Sequence, residues 1–486
     1  MKLVKKILIS VAAIAFITAA TASCKTKDKD STTSEQTQTQ EFANPPEGTP
    51  PDGMPSDGKR PSGTPPEKPN GAPPGGGFGG GHASADIDYS GAVEINSSKT
   101  EENATYSTST VDQSALLVST DSNVEIVNPT VSKTGDSNGG DSCNFYGLNA
   151  AVLVKDGSTT TITGGTISSS ANGANGVFSY GGNGGKNGAT GDGTTVIISD
   201  TKITTSGDGS GGIMTAGGGI TKASNLDITT SGRSSAPIRT DRGGGIVTVD
   251  GGTYTSNGLG SPAIYSTADI TVSNATLTSN LSEGVCIEGK NSITLNNSNL
   301  TANNTKCNGN ATFFDTIMIY QSMSGDADSG TSSFTMNGGS LTSKSGHIFH
   351  VTNTNAVINL NGVTLKNEDS ANILLSVCAD GWNGASNIAT LNANSQKLDG
   401  TILVGSDSTF TLNLTNNSSF EGTVSGKITN AKGKTVSTDV GNVSVKIDVT
   451  STWTLTGDTY ITSFDGDLSQ VNTNGYKLYV GGKLVK

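Results

Sequence analysis

The chain has 486 residues, of which 65 are glycine and 32% are apolar, and its 42 acidic residues outnumber its 30 basic ones. The resulting net charge of −12 makes nucleic acid a poor partner, because the two would repel each other. So little apolar material does not fill the thick core of a conventional α/β enzyme of this length, whereas a narrow, repetitive core needs less.

The N-terminus has the order of a secretory signal: three lysines, an apolar run from Ile7 to Ala20, and small residues up to position 23. The four residues ending at Cys24 resemble a bacterial lipobox, although Thr21 stands where Leu is usual. The resemblance implies that Cys24 carries lipid and becomes the mature N-terminus; an ordinary cleaved signal is the alternative. Residues 1–23 contain three lysines and no acid, so the mature chain has a net charge of −15. We expect a protein exposed at the cell surface and held to the bacterial membrane by lipid.

Residues 24–85 contain almost nothing apolar to bury. They change from Lys and Asp to Ser, Thr and Gln, and then to a Pro/Gly-rich stretch at 45–81. Such composition is typical of disordered, partly extended chain. The segment is therefore predicted to be a tether.

From Asp86 onward an apolar pattern recurs, mostly every 23 to 26 residues. The last apolar position of each repeat is Ile167, Ile203, Ile228, Tyr254, Leu277, Leu300, Leu341 or Leu365. Three residues earlier stands Gly164, Asp200, Asn225, Gly251, Asn274, Asn297, Gly338 or Gly362. Because all of these residue types tolerate positive φ, we predict a tight corner between two strands in every repeat.

A third apolar position follows ten residues after each anchor, except where an insertion at about 301–315 delays it. Three strands per repeat predict an all-β fold, a right-handed parallel β-helix spanning 86–486. The weakly patterned segment 86–128 is a candidate N-terminal cap, and 443–486 is predicted to form the closing coils.

Four cysteines follow Cys24, namely Cys143, Cys286, Cys307 and Cys378. In an oxidising compartment they permit two disulfides with three possible connectivities, or they remain buried thiols. A Cys286–Cys307 bridge is one expectation, since it would fix the insertion against the neighbouring coil.

Outward positions on the third strand carry aromatic and charged side chains, whereas outward positions elsewhere are mostly Ser, Thr and Asn. Aromatic faces suit sugar rings, and guanidinium groups suit carboxylates and hydroxyls. We therefore predict a glycan-binding groove, walled by insertions at about 181–193 and 301–315, whose residues are Phe178, Tyr180, Arg239, Asp241, Tyr265, Glu288 and Lys290. The alternative is a solvated face with surface ion pairs between Arg239 and Glu288 or between Asp241 and Lys290.

Short Asp/Gly loops provide weak candidate calcium ligands, because convergent carboxylates and carbonyls are what that ion needs. The candidates are Asp136 and Asp141 in one loop and Asp326 and Asp328 in another. Calcium is accordingly the one cofactor that the sequence suggests.

The repeat, the corner ladder and the tether together resemble the pectate-lyase-like β-helix superfamily over 86–486, and bacterial surface lipoproteins of that fold described as carbohydrate-binding or adhesin-like. Because the outward row offers only two acids, we expect a non-catalytic binder of extracellular polysaccharide or host-surface glycan, acidic glycans included, and a monomer. A calcium-dependent polysaccharide lyase is the first alternative, with Arg239 or Lys290 as the base. A glycoside hydrolase that uses Asp241 and Glu288 is the second.

Overall fold

The computed structural model describes residues 87–184, 190–322, 324–382 and 386–486. The predicted signal peptide, Cys24 and the predicted tether lie outside these residues. Within the described part, no helix is long and apolar enough to cross a membrane.

The described residues form a right-handed parallel β-helix, in which successive coils add one strand to each of three long parallel sheets. Sheet A contains Gly91–Ile95, Ser114–Ser119, Val152–Lys155, Val177–Tyr180, Ile213–Ala216, Ile238–Thr240, Ile264–Ser266, Val285–Glu288, Asp315–Tyr320, His347–Thr352, Ile373–Val377, Thr401–Val404 and Val424–Ser425. Sheet B contains Lys99–Glu102, Asn123–Val127, Thr159–Thr163, Thr195–Ser199, Gly219–Ser224, Gly245–Asp250, Asp269–Ser273, Ser292–Asn296, Thr331–Asn337, Asn355–Asn361, Asn387–Asn394, Ser408–Thr415, Asn442–Ile447 and Ser463–Asp465. Sheet C contains Thr105–Thr108, Thr130–Lys133, Thr166–Ser169, Lys202–Thr205, Asp227–Thr230, Thr253–Ser256, Thr276–Ser279, Asn299–Ala302, Ser340–Ser343 and Thr364–Asn367.

Smaller elements complete the fold. A four-stranded parallel sheet contains Lys397–Asp399, Ser419–Glu421, Thr452–Thr454 and Val471–Asn472. Three strands, Thr459–Ile461, Leu478–Val480 and Lys483–Leu484, form a sheet near the C-terminus, and Ile428–Thr429 pairs with Thr435–Ser437 in an antiparallel hairpin. The described helices are a short α-helix, Ser142–Phe145, and a 3₁₀ turn, Leu468–Gln470.

The predicted anchors and corners of the repeat are confirmed residue by residue. The eight anchors pair with one another in a single row of sheet C, from Ile167 to Leu365. All eight predicted corner residues adopt positive φ, between 47° at Asn297 and 71° at Gly251. The residue types at the corners therefore encode the bend between sheets B and C.

The core is a narrow column of the apolar side chains that point inward from each sheet. Because one coil exposes this row above and below itself, stacked neighbours must cover it. On the outer face of sheet B, asparagine side chains are hydrogen-bonded from coil to coil. In one such ladder, the distances between the donating Nδ2 and the accepting Oδ1 are 2.8, 2.7, 3.0 and 2.6 Å, and the members are Asn296, Asn337, Asn361, Asn394 and Asn416.

The N-terminal segment and the third strand of the coil after Leu277 differ from the sequence-based expectations. Residues 91–127, within the segment 86–128 expected to be a cap, supply regular strands to all three sheets. The strand after Leu277 starts two residues earlier than the spacing predicts, so Val285, rather than Ile287, pairs with Ile264. The turn before this strand is shorter than the corresponding turns of the preceding coils. No characteristic residue type marks this turn, so its length could not be read from the sequence.

The disulfide expectation is wrong. All four cysteines in the described part of the chain are free, including Cys286 and Cys307. The Cys286 side chain packs against Ala311 and Met318 on the outer face of sheet A. The Cys307 thiol instead faces the carbonyl oxygen of Phe313 at 3.7 Å.

The register of sheet B can be tested with two adjacent substitutions. Val249 is buried between Ala223 and Val272, so Val249→Asp places an unpaired charge in the core. We expect a loss of roughly 3 kcal/mol or more in the free energy of unfolding, measured by urea denaturation.

The control is Thr248→Asp, because Thr248 is exposed and lies beside Lys222 on the neighbouring coil. This variant should unfold within about 0.5 kcal/mol of the wild type. Similar losses for the two variants would contradict the register.

Candidate functional site

The outer face of sheet A presents one continuous row of side chains, one from each coil. The row runs Leu153, Phe178, Met214, Arg239, Tyr265, Cys286, Met318, His350, Ser376 and Leu403. Of these ten residues, only Arg239 and Tyr265 are more than slightly exposed. Loops cover the row on both sides, so its accessible part lies in the middle.

Two overlapping cavities occupy this accessible part, with volumes of about 260 and 210 Å³. Their shared lining includes Tyr265, Asn308, Tyr320, Ser324 and Asp326. We call the two together the central pocket. Its floor comes from the strands Ile238–Thr240 to Asp315–Tyr320, and the rest comes from loops far apart in sequence.

Arg239 and Arg242 are both paired with acids at the pocket. Arg239 Nη2 donates to Asp241 at 2.8 Å, and its Nη1 donates to Asn144 Oδ1 and to the Ser234 carbonyl oxygen at 3.1 and 3.0 Å. The Arg242 guanidinium donates to Asp326 Oδ1 through Nε at 3.0 Å and also through Nη2. Each arginine is therefore fixed by at least two hydrogen bonds.

Both guanidinium groups also lie near aromatic rings. The Arg242 guanidinium is 3.9 Å from the ring centroid of Phe145, and that of Arg239 is 5.7 Å from the ring centroid of Tyr265. Such cation–π contacts add to the ion pairs. The Phe145 contact ties the short helix to the strand end of sheet A.

Glu288 holds the aromatic side of the pocket together. Its Oε2 accepts the hydroxyl protons of Tyr265 at 2.6 Å and of Tyr320 at 3.0 Å. Its Oε1 accepts from Ser324 at 3.2 Å and also from Ser322. Because the Glu288 side chain is 1% exposed and has four donors, it orients the two rings rather than facing a ligand.

Burial changes the protonation equilibria around the pocket. It raises the pKa of Asp241 to about 6, although Arg239 acts in the opposite direction. Burial, followed by the nearby Glu288 carboxyl, raises the pKa of both Tyr265 and Tyr320 well above the ordinary value. Both tyrosines therefore remain protonated donors at neutral pH.

Four of the seven predicted groove residues, Arg239, Asp241, Tyr265 and Glu288, line the central pocket. Glu288 is displaced from its predicted place, because the two-residue shift puts Cys286 beside Tyr265 and puts Glu288 beside Tyr320. The expected surface pair between Arg239 and Glu288 is replaced by the Arg239–Asp241 pair.

The other three predicted residues lie elsewhere. Phe178 is 0% exposed and packs with Leu153 and Met214, so it offers no surface to a ligand. Tyr180 is half-buried against Tyr146, with ring centroids 6.0 Å apart. Lys290 is exposed and pairs with Asp328 at 3.0 Å, rather than with Asp241, and it lines neither cavity.

The pocket contains residues that the sequence-based site omitted. Arg242 follows Arg239 by three residues in the sequence. Tyr320 lies two residues after Met318 and therefore points outward from the same strand, so the alternation of the strand would have identified it. Trp382, whose ring centroid is 4.8 Å from that of Tyr320, comes from a loop, and Phe145 ends the short helix; neither segment has a repeat pattern. Of the two predicted walls, 301–315 contributes Asn308 and Ala311, whereas the described residues of 181–193 line neither cavity.

The candidate calcium ligands do not converge. Asp326 and Asp328 pair with Arg242 and Lys290, and Asp136 accepts the backbone N–H of Asn172 at 2.8 Å. Asp141 lines the central pocket. No group of three or more His, Cys, Asp and Glu side chains in the described ranges could hold a metal ion, and calcium binding stays a prediction.

The long parallel sheets establish the β-helix architecture. No family model, curated protein or solved structure matches the chain. Membership of the pectate-lyase-like superfamily therefore stays a prediction.

The raised pKa of Asp241 predicts a pH-dependent contribution to stability. Because the folded-state pKa of about 6 lies above the unfolded value of roughly 3.9, the folded protein binds this proton more tightly. The contribution is fully present below about pH 4 and is lost as the pH rises through about 6. Relative to Asp241→Asn, the free energy of unfolding of the wild type should fall by about 2 kcal/mol from about pH 4 to 7.

Urea denaturation of both proteins at several pH values measures this difference. Subtracting the free energy of unfolding of Asp241→Asn from that of the wild type cancels the contributions of the other carboxyl groups, which titrate in both proteins. A difference that is constant, or that rises with pH, would show that Arg239 outweighs burial at Asp241.

Proposed function

We propose that this protein binds saccharide, without catalysing its breakdown, in the central pocket on the outer face of sheet A. The observation that carries the proposal is the Glu288 network, which holds the Tyr265 and Tyr320 rings beside hydrogen-bonding groups. A sugar has apolar ring faces and many hydroxyls, so a site for it needs flat aromatic surfaces next to donors and acceptors.

The alternatives are less well supported by the same contacts. A lyase needs a base, but the Arg239 guanidinium is engaged by Asn144, Ser234 and Asp241, and Lys290 lies outside the pocket. A hydrolase needs two carboxyl groups facing the substrate, but Asp241 and Glu288 are 4% and 1% exposed and are engaged by protein donors. Binding requires none of these groups to leave its partner.

The proposal places the binding domain at the cell surface. Its support is the lipobox-like stretch ending at Cys24 and the Pro/Gly-rich segment that follows it. A lipid at Cys24 and a long tether would present the pocket away from the membrane, as an adhesin or a glycan-capturing protein requires.

Tyr265→Ala tests the binding proposal. Removing an aromatic anchor from a partly buried site typically costs about 2 kcal/mol, so affinity for a retained saccharide should fall roughly thirtyfold in calorimetric titration. Tyr265→Phe keeps the ring and should retain most of the affinity.

The control is Tyr460→Ala, because Tyr460 is a tyrosine 48% exposed on the small C-terminal sheet. It should bind like the wild type. Equal affinities for Tyr265→Ala and the wild type, at unchanged melting temperature, would place the site elsewhere.

The anchor is tested in bacteria that express the full chain. Mass spectrometry of the mature N-terminus should find a diacylglycerol-modified Cys24, because a single thioether-linked lipid group is what the lipobox resemblance implies. Cys24→Ser should release the protein from the membrane fraction. A mature N-terminus at another, unmodified residue would remove the anchor from the proposal.

A further inference from the structure

The central pocket is closed along the axis of the β-helix on its N-terminal side. There the outer row of sheet A is covered, and Phe178, Met214 and Ala216 have no exposed surface. The cover is the segment around the short helix Ser142–Phe145, from which Asn144 reaches Arg239. This segment would therefore block a glycan chain that lay along sheet A in this direction.

The C-terminal side is closed by three loops that are bonded to one another. Thr312, in the insertion, donates through its N–H to Asp380 at 2.9 Å and accepts at its carbonyl from the Ala431 N–H at 2.9 Å. Phe313 packs over Leu403 in this wall. Beneath it, His350 and Ser376 are 0% exposed, so the outer row is inaccessible here as well.

The two remaining edges are bridged by arginines. At the strand ends, Arg242 contacts Phe145 of the N-terminal wall and pairs with Asp326 on the other side. At the strand starts, Arg233 Nη2 donates to Asn308 of the insertion at 3.1 Å. The opening is therefore bounded on four sides. A ligand enters it from the solvent side, roughly perpendicular to sheet A.

The accessible floor is short. It extends over four strands of sheet A, which at about 4.8 Å per strand is roughly 15 Å. Its two cavities, of about 260 and 210 Å³, are the size of a small-molecule site rather than a channel for a polymer.

The charge of the lining disfavours an anion. Both lining arginines already have carboxylate partners. The acids that line the two cavities outnumber them, being Asp141, Asp241, Glu283, Glu288 and Asp326. A uronate carboxylate would have to displace one of these acids from its arginine, whereas an uncharged sugar would not.

We infer that the central pocket binds the end of an uncharged glycan chain, or a short oligosaccharide, and not an internal segment of a polymer. The inference rests on the proposed saccharide binding and adds the length and charge of the ligand. The closed rim sets the length, and the paired arginines set the charge.

The test uses the full chain and immobilised glucan, mannan, chitin and polygalacturonate. Each polymer is offered intact and after partial hydrolysis, so that the same mass presents more chain ends. For uncharged probes, the amount of protein bound per gram should rise by the same factor as the number of ends. Polygalacturonate should retain less protein than the uncharged probes at low salt, where charge repulsion is strongest.

The outcomes separate the two proposals. Binding that follows total mass, independently of the number of ends, or that favours polygalacturonate, overturns the end-binding inference while saccharide binding stands. Retention on none of the probes, intact or hydrolysed, overturns both. Binding that follows chain ends and is weakened by Tyr265→Ala supports both.

Discussion

Stacking is the constraint on which the whole structure depends. A single coil has a narrow inward row, and that row is buried only when the coils above and below cover it. Each strand must therefore keep the register of its neighbours, because a shift of one residue would turn the apolar row outward. Positive-φ corners such as Gly251 and Asn274 fix where sheet B ends and sheet C begins, and coil-to-coil asparagine bonds strengthen that register outside the core.

The same stacking turns a repeat into a site. A residue at one position of the repeat is placed about 4.8 Å from its counterpart, so Arg239, Tyr265 and Cys286 form a row although more than 20 residues separate each from the next. The row becomes a distinct site only where the regular repeat is interrupted. The insertion before Asp315 and the segment around Phe145 leave the middle of the row open and cover the rest.

The sequence predicts those parts of the fold that local chemistry determines. All eight corners were predictable because Gly, Asn and Asp tolerate positive φ better than most other residues do. The third strand was predicted less well, because the turn before it changes length without a marker residue, as the shift from Ile287 to Val285 shows. The pocket walls were beyond prediction: the Arg239–Asn144 and Arg242–Asp326 contacts join residues 95 and 84 positions apart.

The internal pairing of the pocket also determines what kind of binding it can support. Glu288 already fixes the Tyr265 and Tyr320 hydroxyls, so a ligand meets rings that need little ordering, and less of its binding energy is lost to entropy. The arginines gain little from a new partner, however, because each would have to leave an acid. The affinity of a single central pocket for the proposed saccharide must then come mainly from ring stacking and from hydrogen bonds to hydroxyl groups. Each of these interactions is weak. If many copies are tethered to one cell as proposed, a glycan surface that presents many ends would engage them together and compensate for the weak single site.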